Sequence, residues 1–538
     1  MLEIRNLSKV FADKKLFENG NLKFVEGNTY GIIGANGAGK STFLKILSGQ
    51  IEPTSGEIII SNEQRISTLS QDHFEFDDYN VTDVVIMGNQ KIFSIQQEKD
   101  AIYNNPDATE EDYHRASELE EQFGALGGWN AENDAQILLS GLGVPKQYWN
   151  QQMKNLKSAH KVKVLLAKAL FGEPDILIMD EPTNHLDIKA IKWLEELLIN
   201  YKNIAIIVSH DSDFLDQICT HIVDIDFNEI KLFTGNYSFW KQSSELLKEM
   251  VKNSNAKKEE QIAKLQAFIA KFSANAAKSS QATSRKKSLE KIQLEEIKPS
   301  SRKYPFIRFN VHPRPGKQIL NVENLSYKNP QTGEVLFDNI SFNLLPGEKL
   351  AIFGEDDLVK TKLLDILAGK DQATSGTITW GSTISFDYFP SNNDSFFEQD
   401  ENLLTWLSKW PLNNSVQENQ DNSDHRMRSF LGRMLFSGEQ VFKNVKVTSG
   451  GEKVRLMFAK MMLGESNFLI FDQPLNHLDS ESIDSFIEGA KAFDSGMIFT
   501  TYNRTLIKEV ATTILEIRDD SSFFFRGNLE DYQKKMGI

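Results

Sequence analysis

The run Gly34-Ala35-Asn36-Gly37-Ala38-Gly39-Lys40-Ser41-Thr42 fits the pattern G-x-x-x-x-G-K-[ST], and each fixed position suits one task in holding a polyphosphate. Glycines let backbone N–H groups curl around phosphate oxygens, Lys40 supplies a cation, and the Ser41 hydroxyl can ligate magnesium. To be placed for that work the run must join a strand to a helix. The apolar segment Thr29-Tyr30-Gly31-Ile32-Ile33 before it predicts the strand, and Phe43-Leu44-Lys45-Ile46-Leu47 after it predicts a helix whose N-terminus favours anions.

An equivalent run returns 320 residues later with most of its glycines gone, as Gly354-Glu355-Asp356-Asp357-Leu358-Val359-Lys360-Thr361-Lys362. It belongs to a longer internal repeat. Ile176-Leu177-Ile178-Met179-Asp180-Glu181-Pro182-Thr183-Asn184-His185-Leu186-Asp187 corresponds to Phe468-Leu469-Ile470-Phe471-Asp472-Gln473-Pro474-Leu475-Asn476-His477-Leu478-Asp479, and Gly235-Asn236-Tyr237 matches Gly527-Asn528-Leu529. An Asp-Glu pair standing alone at a strand end is ordinarily a solvated turn. Inside a twelve-residue repeat that accompanies a phosphate loop, it reads as part of a duplicated domain.

Composition frames the repeat. A chain of 538 residues with 40% hydrophobic content has room for two to four globular domains. The single cysteine, Cys219, excludes an internal disulfide framework and fits a reducing compartment. With no basic, apolar leader at the start and no 18-residue apolar run, a cytoplasmic location without a membrane span is expected. The net charge of −15 is uneven: between Lys241 and Lys303 there are 15 Lys or Arg against 7 Glu, a local +8 on a body of −23. That basic stretch has helical spacing at Leu246, Leu247 and Met250, then at Ile262, Leu265 and Ile269. It becomes small and polar around 273–284 and resumes at Leu289, Ile292 and Leu294, which predicts two helices joined by a turn. Helical stretches at Ile95–Tyr103 and Glu110–Phe123 predict an inserted helical and arm subdomain at about 81–145.

Together the phosphate loop, the D-E-P-T-N-H-L-D segment and Ser449-Gly450-Gly451-Glu452-Lys453 resemble the ATP-binding cassette superfamily. Two cassettes in one chain, joined by a basic helical linker, resemble its ABC-F proteins, and the linker sequence from Phe272 to Arg285 with Pro305-Phe306-Ile307-Arg308-Phe309 is most similar to the YbiT type. The expected fold is therefore α/β, with two tandem P-loop NTPase cassettes, each carrying a helical subdomain, joined by a helical-hairpin linker. The expected boundaries are 1–240, 241–303 and 304–538.

In such a pair each nucleotide sits between one cassette's phosphate loop and the other's signature helix. The resemblance thus implies a first ATP site built from Gly34, Asn36, Gly37, Ala38, Gly39, Lys40, Ser41 and Thr42 with Ser449, Gly450, Gly451 and Glu452, and with Phe11 stacked on adenine. Ser41, Gln71 and Asp180 are the expected Mg2+ ligands, the last through water. Glu181 is the expected base for the attacking water, Gln71 the Q-loop residue and His210 the γ-phosphate switch.

The second site departs at nearly every position. Its loop gains three carboxylates and the β-branched Val359, and Gln473 stands in for the catalytic glutamate and cannot accept a proton. Phe389 and Tyr502 replace the Q-loop glutamine and switch histidine, and the partner signature Leu156-Lys157-Ser158-Ala159-His160-Lys161 lacks a Gly-Gly pair. This site is expected not to hydrolyse ATP, and Asp356 or Asp357 is expected to pair with Lys360 and fill it.

The reading these features support is an ATPase working with ATP and Mg2+ at one site, as a monomer with its cassettes paired within the chain, with no membrane and no disulfide partner. The resemblance implies the ribosome as partner, through ribosomal RNA and tRNA at the linker hairpin, where Lys278, Arg285, Lys286, Lys287 and Lys291 cluster around the expected tip. Two alternatives stand beside it: a nucleotide-gated binding protein with negligible turnover, and the motor subunit of a transporter with separate membrane partners.

Overall fold

The computed structural model describes residues 1–11, 14–61, 64–70, 74–184, 186–272, 302–354, 356–410, 423–464, 466–518 and 521–537. Ile204-Ala205-Ile206-Ile207-Val208 and Phe468-Leu469-Ile470-Phe471 have no side chain suited to water, the pattern of parallel strands covered on both faces, and both lie buried within six-stranded sheets.

Among the described residues, the first half contributes β1 (Leu2–Phe11), β2 (Lys14–Phe24), β3 (Asn28–Ile33), β4 (Ser55–Ile60), β5 (Ile66–Thr68), β6 (Ile176–Asp180), β7 (Ile204–Val208), β8 (His221–Asp226) and β9 (Glu229–Thr234). The second half repeats the series as β10 (Leu320–Lys328), β11 (Val335–Leu344), β12 (Lys349–Gly354), β13 (Ser375–Trp380), β14 (Phe386–Phe389), β15 (Phe468–Asp472), β16 (Gly496–Thr500), β17 (Thr513–Arg518) and β18 (Ser521–Arg526). Each half has an antiparallel three-stranded sheet, β2-β1-β4 or β11-β10-β13. Each also has a six-stranded sheet, β5-β6-β7-β3-β8-β9 or β14-β15-β16-β12-β17-β18, parallel except for its last strand. The duplication read from sequence is thus a duplication of architecture.

Strand order positions the chemistry. Because β7 lies between β6 and β3, Val208 is in register with both Asp180 and Ile32. Glu181 after β6, His210 after β7 and the Gly34 run after β3 therefore emerge side by side at the carboxyl edge of the sheet, where open α/β sheets bind their ligands. Alternate residues of β7 face opposite cores. Ile204, Ile206 and Val208 pack with Phe43 and Leu44 of the helix after the phosphate loop, whereas Ala205 and Ile207 pack with Leu165 and Leu166 of the helical layer.

The inserted subdomain contains helices Gln90–Tyr103 and Glu110–Ala125, tied by Arg115 to Glu98 at 2.9 Å. The first begins five residues ahead of its apolar spacing because the Asn89 side chain accepts the Ile92 N–H and caps it there. A 36-residue helix, Tyr237–Phe272, starts within the first half and leads into the linker. Residues 273–301 lie outside the described residues, and with them the stretch where the second hairpin helix is expected and Lys278, Arg285, Lys286, Lys287 and Lys291. No described helix is long and apolar enough to cross a membrane.

Candidate functional site

The phosphate loop bends where only glycine fits. A Cβ at Gly34 would lie 2.5 Å from the Ile225 carbonyl oxygen, and Gly39 has φ 102° and would press on Leu16 at 3.0 Å. Gly39 caps the helix Lys40–Leu47 without a side chain over its first N–H groups, which leaves that end clear for an anion. Lys40 is buried, and its Nζ donates to the Gly34 carbonyl at 2.7 Å. Burial holds this amine below the usual lysine range, against the opposing pull of Glu181, Glu481, Asp479 and Asp180.

Asn36, Gly37, Lys40, Ser41 and Thr42 line a cavity of about 740 Å³, with Asp180, Glu181 and His210 across from them and Asn476, His477 and Leu478 of the second half closing one side. Glu181 follows β6 with φ 52°, a left-handed conformation rare outside glycine. One carboxylate oxygen accepts the His210 backbone N–H at 3.3 Å, and the other is 3.7 Å from His210 Nε2. Burial, reinforced by the charge of Asp180, pushes this carboxyl up to about 8. His210 moves the opposite way, to about 3, because burial and then Lys40 oppose a second positive charge. The pair is therefore a raised acid beside a neutral imidazole. His210 Nδ1 in turn lies 3.0 Å from Ser480 Oγ of the second half.

The signature segment reaches the same place from the other half. Ser449 accepts the Glu452 N–H and Glu452 accepts the Ser449 N–H, a reciprocal cap at the start of the helix Gly450–Leu463, and Lys443 pairs with Glu452 at 2.7 Å. A methyl group at Gly451 would come within 2.7 Å of the His477 carbonyl oxygen, so glycine is needed for the packing within the second half, and it would lie 3.8 Å from the Asn36 side-chain nitrogen, an ordinary contact that places the signature beside the phosphate loop. Phe11 stands at the end of β1 with its ring about half exposed and the Lys9 ammonium 4.9 Å from its centre. Gln71 lies outside the described residues. Asn36, Gly37, Gly39, Lys40, Ser41, Thr42, Asp180, Glu181 and His210 line one cavity, and Gly451 of the other half lies beside Asn36 at its edge.

The second site has the same frame and different contents. Lys360, 3% exposed, is 2.8 Å from Asp357 and donates to the Tyr502 hydroxyl at 3.3 Å. Tyr502 donates to Asp357 at 2.5 Å, and the Gln473 amide reaches the same oxygen at 3.4 Å. The expected pairing of Lys360 is thus present with Asp357. Asp356 instead caps the following helix through the Leu358 N–H and meets Lys157, the degenerate signature lysine, at 2.6 Å across the interface. Thr361 and Thr500 both donate to Asp472 at 2.6 Å. Phe389 is buried among Phe458 and Phe471, a core residue with no route to a ligand. Glu355 lies outside the described residues.

Sequence reading did not single out Ser480 or the Lys157–Asp356 pair. A signal for the second existed, since a crossed arrangement puts a lysine-bearing signature opposite a loop rich in carboxylates. Nothing in the sequence around Ser480 distinguishes its hydroxyl from that of any other serine at a helix start.

A family model described as ABC transporter matches residues 17–184 and again 337–476, and a second so described matches 223–309. The chain is 50% identical to the ABC transporter ATP-binding protein YkpA of Bacillus subtilis, covering 100% of this chain and 99% of that protein. It is 43% identical to the probable ATP-binding protein YbiT of Escherichia coli O157:H7, covering both in full. Among solved structures, an archaeal ribosome recycling factor in complex with a ribosomal stalk protein aligns with a TM-score of 0.61 at 14% identity, covering 99% of this chain and 92% of that one.

Proposed function

The chain belongs to the ABC transporter family of ATP-binding proteins, in a duplicated, ABC-F-like form, and from that premise we propose that it hydrolyses ATP at its first composite site alone and acts on the ribosome. The observation that carries the one-site reading is the Asp357–Lys360–Tyr502 network, in which a carboxylate of the second loop and a tyrosine after β16 engage the lysine a phosphate would need.

At the first site Lys40 offers the phosphates a cation, and the clear helix start after Gly39 offers them N–H groups. Ser41 and Asp180 would hold Mg2+, with Gln71. A hydroxyl with a single carboxylate suits an ion that keeps waters and phosphate oxygens in its shell. When bound, Mg2+ polarises the phosphoryl oxygens. Glu181, with its raised pKa, takes the proton of the attacking water, and neutral His210 hydrogen-bonds the γ-phosphate. Phe11 stacks on the adenine, and Gly450 and Gly451 bring the signature helix from the other half to the γ-phosphate. Closure then requires ATP, and hydrolysis ends it.

The ribosomal reading is supported by the local +8 of the linker on an acidic body, by the ABC-F resemblance, and by a fold shared with a ribosome recycling factor. It is tested by co-sedimentation with ribosomes of the wild type and Glu181→Gln, with and without ATP, at two salt concentrations. ATP is expected to trap the Gln variant on ribosomes, and higher salt to release it. ATP hydrolysis that depends on Glu181, without ribosome binding by either protein, would remove the ribosome from this account and leave the catalytic site in place.

A further inference from the structure

Arg302, near the end of the linker, is the first described residue after Phe272, and it is buried between the two halves. Its guanidinium reaches Asp224 at 2.5 Å and Asp226 at 3.3 Å, both on β8. It also reaches Glu481 of the second half at 2.9 Å and lies 4.9 Å over the Trp240 ring. Asp224 is in register with Ile33, the residue that leads into the phosphate loop. Glu481 is in the first turn of the helix Ser480–Lys491, next to the serine whose hydroxyl lies 3.0 Å from His210 Nδ1. One fork of donors therefore ties the strand beside the first phosphate loop to the helix start that meets the first switch histidine. A planar guanidinium with fixed donor directions can do this where a lysine, a single point charge, cannot.

We propose that Arg302 is a positioning residue for hydrolysis at the first site, holding Glu481 so that Ser480, in trans, fixes the orientation of His210. A hydroxyl can donate to Nδ1 or accept from it, so Ser480 serves either tautomer and anchors the ring with Nε2 turned toward Glu181 and the γ-phosphate. The second half then contributes to the first site through its signature helix and also through this serine. Lys40 feels the same arrangement, since the charge of Glu481 acts on its ammonium. This inference rests on the reading that the first site hydrolyses ATP.

The test is steady-state ATP hydrolysis by the full chain as wild type, Glu181→Gln, Glu481→Gln, Ser480→Ala, Ser480→Thr, Arg302→Lys and the double variant Glu481→Gln/Ser480→Ala, with a thermal melt of each. Glu481→Gln and Ser480→Ala are each expected to lower kcat about tenfold while KM for ATP stays within about twofold. Ser480→Thr, which keeps the hydroxyl, is expected to retain most of the rate. Arg302→Lys is expected to fall with Glu481→Gln. The double variant is expected to be no slower than either single one, because both act through His210. Losses that multiply, a rise in KM with kcat intact, or an unchanged kcat in Glu481→Gln would each overturn the proposal. Should Arg302→Lys fail to fold, the two milder variants still decide it. Turnover equal in wild type and Glu181→Gln would instead overturn one-site hydrolysis, and this proposal with it. Glu181-dependent turnover that is indifferent to Ser480 would overturn this proposal alone.

Discussion

Glu181 and Gln473 occupy the same place at the ends of β6 and β15 and hold nearly the same backbone, φ 52° and 51°. Strain of this kind costs about 1–3 kcal/mol and persists where surrounding structure enforces it. Both copies keep the bend, although only one carries a base. The raised pKa of Glu181 sets a sign: the carboxyl is protonated well below 8 and becomes a competent base as pH rises through it. For the free enzyme kcat/KM is therefore expected to climb with an inflection near 8, whereas His210 adds no inflection above pH 5 because it is already neutral there. A profile that is flat between pH 6 and 9 in a Glu181-dependent reaction would remove the base role. Restoring the second residue is expected not to restore catalysis. Gln473 donates to Asp357 at 3.4 Å, so Gln473→Glu sets two carboxylates face to face. Unchanged ATP turnover and a lower melting temperature are the expected result, and a gain in turnover would show that the second site is closer to competence than its contacts imply. The positions of Glu181, His210 and Gln473 at the strand ends were legible because residue type and order carry them. The contact of Ser480 with His210 was not, because it joins positions 270 residues apart whose side chains have no chemical mark in sequence.

At the scale of elements, the order β6-β7-β3 does most of the positioning, and its strands were readable as apolar runs with chemistry at their carboxyl ends. The strand order itself was not readable, since β3 pairs with β7 and β8 across more than 170 residues of intervening chain. The phosphate-loop helices show what a changed N-terminus does. After Gly39 the helix start lies clear, whereas Asp356 caps its counterpart through the Leu358 N–H and Asp357 pairs with Lys360 one turn on. The second loop is thus a capped helix with an internal ion pair, closer to a structural element than to a cradle. Lys360→Ala is expected to destabilise the fold by about 2 kcal/mol, less than the loss of a fully buried pair because Asp357 stays partly exposed. ATP turnover is expected to remain within about twofold, since Lys360 has no part in the first site. Denaturant unfolding and an ATPase assay on the same preparation check both halves of this expectation. A sharp loss of turnover at normal stability would mean that the second lysine serves a nucleotide after all. Arg302 had been counted within the basic run, and composition could not separate a buried bridging cation from its solvated neighbours.

Across the whole molecule, two halves of the same architecture meet around two interfaces held by different means. At the first site, signature and phosphate loop approach through Gly451 and Asn36, with an ATP-sized cavity between the halves. At the second, Lys157 meets Asp356 directly while Asp357, Lys360, Tyr502 and Gln473 satisfy one another. In the Lys157–Asp356 pair the lysine is half exposed, and the pair contributes about 0.5 kcal/mol, too little to lock the halves together by itself. Its significance is that no phosphate is required for it to form. ATP binding and release would then swing one edge of the interface while the other stays in contact, so the molecule would open as a hinge. Two measurements follow from that asymmetry. Equilibrium binding to Glu181→Gln is expected to give one ATP per chain, abolished by Lys40→Ala and unchanged by Lys360→Ala. A zero-length carbodiimide is expected to join the Lys157 amine to the Asp356 carboxyl in equal yield with and without ATP, read by peptide mass spectrometry. Two bound nucleotides, or a cross-link that appears only with ATP, would mean that the second edge also opens and closes, and the halves would have to be treated as an ordinary pair of nucleotide-driven jaws.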